Sequence, residues 1–492
     1  MFGKILINIL FLFFSINISA QQSGFEIIFD SEMDEEAIDF KRKGVDGFVG
    51  LINIASIIDT NVIYYSYLYE IDNFGDTNSV KFEKSDTTFR YFYLDRVLTD
   101  PKGFILSGLG RGLYPPDNDL FTIITRIDNN NNIIWEKTFK FNYSFGAYRA
   151  SILELINGDL LYACSPNLNE NMFLLRLSPQ GDSLYYTSYN GSESGEVWDL
   201  TYNHDSSNIL LSTKWAHYET GGFVSSIITL DDSLNQINVN YYPEHFNPPY
   251  NTLWYDNDKL LVGGRDQIIQ FSGNTEKMIS AYLLDTSFNI LNEVHLTHPD
   301  TNSRGAEVQA IDYYYTNSVF LGGTHNQQGL FGNEPNWFYI SKLNDTLGVE
   351  FEKYIGGDNL YWLYSVTASS DGGVLLVGNY KDIDQTTLNR NVFILKMDSI
   401  GCITSNLESP VVPINEAVIY PNPGMDNIFV RTSLKDCIFI LYDSFGKVII
   451  STNLENRVTK LKVDYLSPGE YFYSVINKNQ KVLTGTWIKT KI

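Results

Sequence analysis

Histidine is the first residue type to test for chemistry, because near neutral pH its imidazole can move protons and ligate metals. The chain holds six: His204, His217, His245, His295, His298 and His325. His295 and His298 form the only close pair, and in a strand an offset of three turns them to opposite faces, wrong for a shared metal. No histidine-based catalytic or metal site is therefore expected. The three cysteines, Cys164, Cys402 and Cys437, are odd in number and far apart, which excludes a disulfide framework and a CxxC metal spacing. A G-x-S-x-G nucleophile elbow, a P-loop and a dinucleotide fingerprint are absent from the sequence. Glycoside hydrolysis needs two carboxylates flanking one bond. With 58 acidic residues in the chain, none of them marked by spacing, no catalytic residue is assigned.

Aromatic residues give a more ordered pattern. Tyr91, Tyr148, Trp198, Tyr250 and Trp362 each precede a glycine- or turn-led aliphatic run by about ten residues. Tyr and Trp join an apolar face to a polar tip, so a ring of them at the mouth of a channel could stack on sugars or grip a peptide. Packing between repeated units is the competing reading of the same five residues.

The elements that would position them are repeats. Short runs begin at Gly47, Gly103, Gly158, Asn208, Lys259, Ser318 and Gly373, spaced 50 to 59 residues apart. Each is followed by a second apolar run, a polar turn and a third run, and with the strand leading into the next glycine each unit holds about four strands. That is the pattern of β-propeller blades. Several first runs end in small residues (Ser107-Gly108, Gly263-Gly264, Gly322-Gly323, Gly378), which suits close backbone approach near a central axis. The seventh unit stops at Gly401-Cys402 without an outer strand, while Phe25–Phe29 precedes the first unit and lacks a partner. Pairing the two closes a ring of seven blades, with six or eight as the neighbouring counts. The best copy, Asp371-Gly372-Gly373-Val374-Leu375-Leu376-Val377-Gly378 with Phe393-Ile394-Leu395-Lys396-Met397-Asp398, resembles the units of bacterial extracellular propellers.

Two sequence matches are explained by the repeats. Gly181-Asp182-Ser183-Leu184 spells the GDSL motif of a hydrolase family, but Asp231-Asp232-Ser233-Leu234 and Asn344-Asp345-Thr346-Leu347 stand in the same place in other units, so a hairpin turn is expected there. Asp182-Ser183-Leu184, Asp232-Ser233-Leu234, Asp345-Thr346-Leu347 and Asp398-Ser399-Ile400 also resemble O-glycosylation acceptors of exported bacterial proteins, a pattern that turn chemistry explains as well.

After Cys402 the composition shifts to Ser, Pro and Asn, giving a linker over 403–415. Six or seven short strands then follow in 416–492, the mark of a small β-sandwich. This segment resembles the type A sorting domain of type IX secretion cargo. The resemblance rests on Tyr420-Pro421-Asn422-Pro423, on Tyr442-Asp443 through Gly446-Lys447-Val448, on Leu466 through Gly469-Glu470-Tyr471, and on a basic end with Lys489 and Lys491. It implies the type IX secretion machinery as a partner, with cleavage upstream of Val418 and surface attachment or release.

Bulk properties agree with export. Lys4, the apolar run Ile5 to Phe14 and Ile18-Ser19-Ala20 read as a signal peptide over 1–20. No later run approaches the roughly 18 apolar residues of a spanning helix. The net charge is -23, and it is uneven: 416–492 carries +3 and 21–415 carries -27. So acidic a body repels nucleic acid and anionic lipid; it would suit Ca²⁺, though no cofactor is required. The fold class expected is all-β, a seven-bladed propeller over 21–402 followed by a small sandwich. The function expected is an exported, surface-anchored binding or adhesion protein with a polysaccharide or protein ligand. A secreted propeller-type carbohydrate-active enzyme and a structural surface component are the alternatives.

Overall fold

The computed structural model describes residues 24–490 except 30–32, 46, 59–60, 85–86, 100, 113–119, 141–148, 166–171, 190–194, 218–221, 244, 246, 257, 270–274, 297–301, 328–333, 384–388, 404–416, 421–426, 433–436, 455–457 and 478–479. The signal-peptide reading over 1–20 and nearly all of the linker reading over 403–415 lie outside the described residues. Among those described, every regular element is a strand.

Seven antiparallel sheets follow one another along the chain, six of them built from consecutive strands. Blade 1 runs Asp34–Arg42, Gly47–Ile58, Asn61–Asp72, Thr77–Phe82, from inner to outer strand, and the next five blades repeat the order. The seventh sheet is made from both ends of the propeller. Phe25–Phe29 pairs antiparallel with Asn391–Met397, so Ile27 lies opposite Ile394, and the N-terminal strand supplies the missing outer edge. The inner strands of successive blades lie against each other.

Second strands are the most deeply buried because they have a blade face on each side. Val49, Leu51, Ile105, Leu106, Leu160, Leu161, Leu375 and Leu376 are wholly covered or nearly so, and the seams between blades are filled by such side chains. Burying one Leu or Ile side chain is worth about 1.5–3 kcal/mol, and the ring repeats that contribution blade by blade.

One backbone device recurs. In blades 2, 4, 5 and 7 the inner strand carries a bulge, with Phe92, Trp198, Tyr250 and Tyr364 as the extra residue. Blade 1 bulges at Ile38-Asp39, and in blade 6 residues 306–310 leave the ladder between Arg304–Gly305 and Ile311–Tyr315. The small residues read as approaching the central axis have a nearer neighbour. Gly108 and Gly378 lie opposite the bulges of their own blades, where a Cβ would run into the carbonyl oxygens of Arg90 and Trp362.

The third and outer strands are joined in every blade by a five-residue turn: 72–76, 128–132, 178–182, 231–235, 285–289 and 344–348, with 398–402 ending blade 7. Its fourth residue has positive φ, whether Gly75, Asn131, Gly181, Leu234, Phe288, Leu347 or Gly401. The first residue's side chain usually caps the turn, as Asp231 does by accepting from the Ser233 and Asn235 amides at 2.9 and 2.8 Å.

The C-terminal residues form two further sheets. One holds Ala417–Tyr420, Asn427–Thr432 and Val458–Lys462; the other holds Val448–Leu454, Cys437–Tyr442, Gly469–Asn477 and Gln480–Lys489. Strict alternation along Cys437–Tyr442 buries Cys437, Phe439 and Leu441, which pack with Ile428, Val430, Val475 and Trp487.

Candidate functional site: the propeller channel and the sorting module

The inner strands of all seven blades line a central cavity of about 330 Å³. Its charged residues are Asp39, Lys41, Arg42, Asp95, Arg96, Asp199, Glu307 and Asp312. Each blade turns polar side chains from its inner strand toward the next. Asp39 accepts from the Leu94 amide at 2.9 Å, the Ser151 hydroxyl from Leu200 at 3.1 Å, and Asp199 from the Thr252 amide and hydroxyl at 2.7 and 2.9 Å. Asn251 accepts from Ala310 at 2.8 Å, Asp312 from Ala368 at 2.9 Å, and Thr367 donates to the Phe40 carbonyl at 2.7 Å. Among the described residues these bonds cross six of the seven junctions, and every buried backbone group they satisfy avoids a penalty of about 1–3 kcal/mol.

Cations from blade 1 cross the channel. Lys41 lies 3.2 Å from Asp39 and donates to the Gln309 side chain at 2.6 Å. Arg42 donates to the Tyr313 and Ala368 carbonyls at 2.9 and 3.2 Å and stands 3.5 Å from Asp312. Burial pushes the Asp95 carboxyl up to about 6, with Lys41 opposing and the Asp39 and Asp199 charges adding. Burial also raises Asp199 to about 6, against the bonds from Thr252. Burial pulls the Lys41 ammonium down, but Asp39 and Asp95 outweigh it and leave its pKa above the ordinary value.

Of the two readings of the aromatic residues, a ring at the channel mouth or packing between repeated units, their burial fits the packing reading. Tyr91 and Tyr250 are fully buried, Trp362 is 4% exposed, and Tyr148 lies outside the described residues. Tyr91 packs edge-on against Phe82 and Phe89, and its hydroxyl bonds Thr125 at 2.5 Å. Tyr250 packs edge-on against Trp198 and accepts from Arg304 at 3.0 Å. These side chains point into the seams between blades. Of the four that are described, only Trp198, itself 7% exposed, borders the channel cavity. The polar lining was missed, although its signal is in the sequence: Asp39, Asp95 and Asn251 each stand eight residues before the start of the following aliphatic run, and Asp199 stands nine before.

The GDSL tetrapeptide does lie at a hairpin turn, but out of register with its supposed counterparts. Gly181-Asp182 occupy turn positions four and five, whereas Asp232 and Asp345 occupy position two. The four Asp-Ser/Thr-apolar tripeptides accordingly sit in three different frames. Ser183, Ser233 and Thr346 are exposed, while Ser399 is half-buried.

The histidines are dispersed. His204 stands beside Trp254, His325 is buried with its Nδ1 3.1 Å from the Ser303 hydroxyl, and His298 lies outside the described residues. His295 instead meets His245, from another segment, through Glu293. Among the described residues no group of three or more His, Cys, Asp or Glu side chains could hold a metal ion.

In the C-terminal module, Gly446 and Gly469 take positive φ, and Gly446 is the fourth residue of a five-residue turn, 443–447, capped by Asp443, which accepts from the Phe445 and Lys447 amides at 2.9 Å. The Tyr471 hydroxyl donates to the Ser467 carbonyl at 2.7 Å, pinning the chain four residues upstream. Lys489 is buried and donates to the Val463 carbonyl at 2.6 Å, tying the last strand to the opposite sheet's end. The motif residues are therefore turn formers and ties between sheets. Pro421, Asn422 and Pro423 lie outside the described residues, and Tyr420 ends the first strand.

Residues 418–489 match the family described as the secretion system C-terminal sorting domain. The C-terminal module is a type IX sorting domain. Such a domain implies engagement of the type IX secretion machinery and export to the cell surface or release outside the cell. No helix among the described residues is long and apolar enough to cross a membrane. No curated protein matches the chain in sequence. Among solved structures, the chain is similar to the β-propeller domain of the Trilobed protease from Pyrococcus furiosus (10% identity, 75% of this chain and 97% of that one, TM-score 0.42). It is also similar to the Dos1 propeller (10% identity, 83% and 93%, TM-score 0.37). A third similarity is to PorZ, a surface component of the type IX secretion system of Porphyromonas gingivalis (12% identity, 91% and 74%, TM-score 0.27). At these scores the similarities carry no argument about activity.

Proposed function

We propose that the protein is an exported binding protein of the cell surface: the sorting domain takes it out and fixes it there, and the propeller holds a polysaccharide or protein ligand without cleaving it. One observation carries this reading. Asp39, Asp199 and Asp312 are each bonded to a backbone amide of the neighbouring blade, so the channel carboxylates serve to lock the ring. A rigid ring presents a preformed face and loses little freedom on binding.

Asp95 favours a second reading. Its carboxyl bonds only the adjacent Arg96 amide among the contacts identified, and its raised pKa of about 6 suits a general acid. A propeller-type carbohydrate-active enzyme would use it. The test is to screen the full chain against immobilised glycans and polysaccharides, with product analysis of each hit and with Ca²⁺ either present or chelated. Saturable binding with no products supports the binding reading. Products that vanish in Asp95→Asn overturn it. Self-association with no ligand bound would instead indicate a structural surface component. Protease shaving of intact cells separates the anchored from the released form.

A further inference from the structure

We infer that the seam between blades 5 and 6 holds a recognition pocket for one anionic group, a carboxylate or a sulfate ester, of an acidic polysaccharide. This rests on the binding reading above and gives that reading its ligand class. The pocket measures about 100 Å³, shares no residue with the channel, and is lined by Arg265, Lys277, Asn302, Ser303, Arg304 and Gln327. Register brings its three cations together. Lys277 lies opposite Gln267 in the ladder between the second and third strands of blade 5, Lys259–Ile269 and Thr275–Asp285. Arg265 is two residues from Gln267, so Arg265 and Lys277 share a blade face and Asp266 is turned to the other. Asn302 bridges Lys277, and the Ser303 amide donates to the Lys277 carbonyl at 2.9 Å. That contact delivers Arg304, at the start of the inner strand of blade 6, to the same place. The Gln327 amide donates to the Asn302 carbonyl at 2.6 Å and closes the rim.

The three cations differ in what holds them. Arg304 is anchored: its Nε donates to the Tyr250 hydroxyl at 3.0 Å and its Nη1 stands 2.8 Å from Glu307, which leaves other N–H groups of the fork unspent. Arg265 donates from Nε to the Asn247 carbonyl at 3.3 Å and pairs with no carboxylate among the described residues. The Lys277 ammonium has no hydrogen-bond or ion-pair partner among the described residues. Burial, and the charges of Arg265 and Arg304, pull its pKa below the ordinary value. Three cations thus stand close enough to repel one another, with Glu307 the one carboxylate paired to any of them among the described residues.

An anion in the pocket relieves that repulsion and accepts charge-assisted hydrogen bonds, roughly twice as strong as neutral ones. The side-chain amides of Asn302 and Gln327 supply further donors. The surrounding propeller is strongly acidic and repels densely charged polymers such as nucleic acid. A polysaccharide with its acidic groups spaced along neutral sugars meets both conditions: one group enters the basic pocket, and uncharged hydroxyls face the acidic surround.

The test measures binding of the full chain to hyaluronan, whose charge is a carboxylate on alternate sugars, and to κ-carrageenan, whose charge is a sulfate on alternate sugars, beside their carboxyl-reduced and desulfated forms. Binding to a charged polymer and not to its neutral form is expected, and the polymer that binds identifies the group. Arg265→Gln and Lys277→Gln should each weaken it about tenfold, with far-UV circular dichroism unchanged. Lys102→Gln, which removes the same charge from an exposed position on blade 2, should leave it as it was. Neutral forms that bind as well as the charged ones, or undiminished affinity in either pocket variant, overturn the pocket and leave the binding reading standing. Failure of both charged polymers to bind also overturns the pocket, while any neutral glycan or protein ligand keeps the binding reading. Cleavage of a charged polymer, with the tenfold losses still seen, overturns the non-cleaving reading and supports the pocket.

Discussion

Substituting Asp199 tests whether the channel acids hold the ring together. Its carboxylate accepts from the Thr252 amide at 2.7 Å, the Thr252 hydroxyl at 2.9 Å and the Leu200 amide at 2.9 Å. Leu200 has a second acceptor in the Ser151 hydroxyl, but Thr252 is only 7% exposed, so Asp199→Ala strands a buried donor at about 1–3 kcal/mol. Asp199→Asn keeps an acceptor and removes the ionisation. The folded pKa of about 6 lies above the ordinary carboxyl value of 3.8, so between those values the native state binds more protons than the unfolded chain. Stability from this group therefore rises as pH falls from 7 toward 4, and is lost as pH rises through 6. Two pKa units correspond to about 3 kcal/mol, reduced to about 1–2 kcal/mol by the channel's openness to solvent. Urea midpoints should place Asp199→Asn at or above the parent at pH 7.5 and below it at pH 5, with Asp199→Ala about 1–3 kcal/mol below Asp199→Asn at both. Removing the Asp199 charge also takes away one cause of the raised Asp95 pKa, so the comparison is repeated in an Asp95→Asn background. Equal stability of the two variants, or a gap between parent and Asn that ignores pH, would refute the locking role.

Three other substitutions probe the remaining contacts. Arg390→Ala should destabilise the propeller by about 2–3 kcal/mol, because Arg390 bonds Asp34 at 2.9 and 2.8 Å and Glu36 at 2.9 Å across the seam between blades 7 and 1; faster proteolysis near residue 30 reports it. Leu234→Gly should cost about 1 kcal/mol despite relieving a φ of 63°, because burial of the leucine outweighs the left-handed strain; the denaturation midpoint decides. Tyr471→Phe should cost the sorting domain about 1 kcal/mol by removing its bond to Ser467, read as faster amide exchange within the segment that starts at Ala417 and not in the propeller.

The architecture was legible because its signals are local and repeated. Seven aliphatic runs, each followed by a turn, led to seven sheets, and the partnerless strand at Phe25 did close the last one. The sorting domain was legible for a different reason: its turn glycines and Tyr471 carry backbone roles that few other residues can fill. Side-chain direction was not legible. The bulges at Trp198 and Tyr250 add one residue to a strand and change which face the following side chains take. A spacing count therefore left the aromatics open between channel and seam, and overlooked Asp199 beside one of them. The pairing of His245 with Glu293 and His295 joins residues about fifty apart, and no local pattern announces it.

The five-residue turn shows how far sequence can drift beneath a constant backbone. Its fourth position needs a left-handed residue, which Gly75, Gly181 and Gly401 provide without strain and Asn131 at small cost. Leu234, Phe288 and Leu347 take the same conformation against their preference, and Leu234 and Leu347 are 4% and 3% exposed. The apolar side chain there gains from the blade interior what the backbone loses. Two unlike solutions, a glycine that avoids strain and a leucine that offsets it by burial, therefore serve one geometry. An alignment of the blades by residue type shifts by three at 178–182, which is how the GDSL tetrapeptide came to be matched with Asp232 and Asp345. Alignment on the positive-φ position restores the frame in all seven blades, because backbone conformation, rather than residue identity, is what the ring repeats.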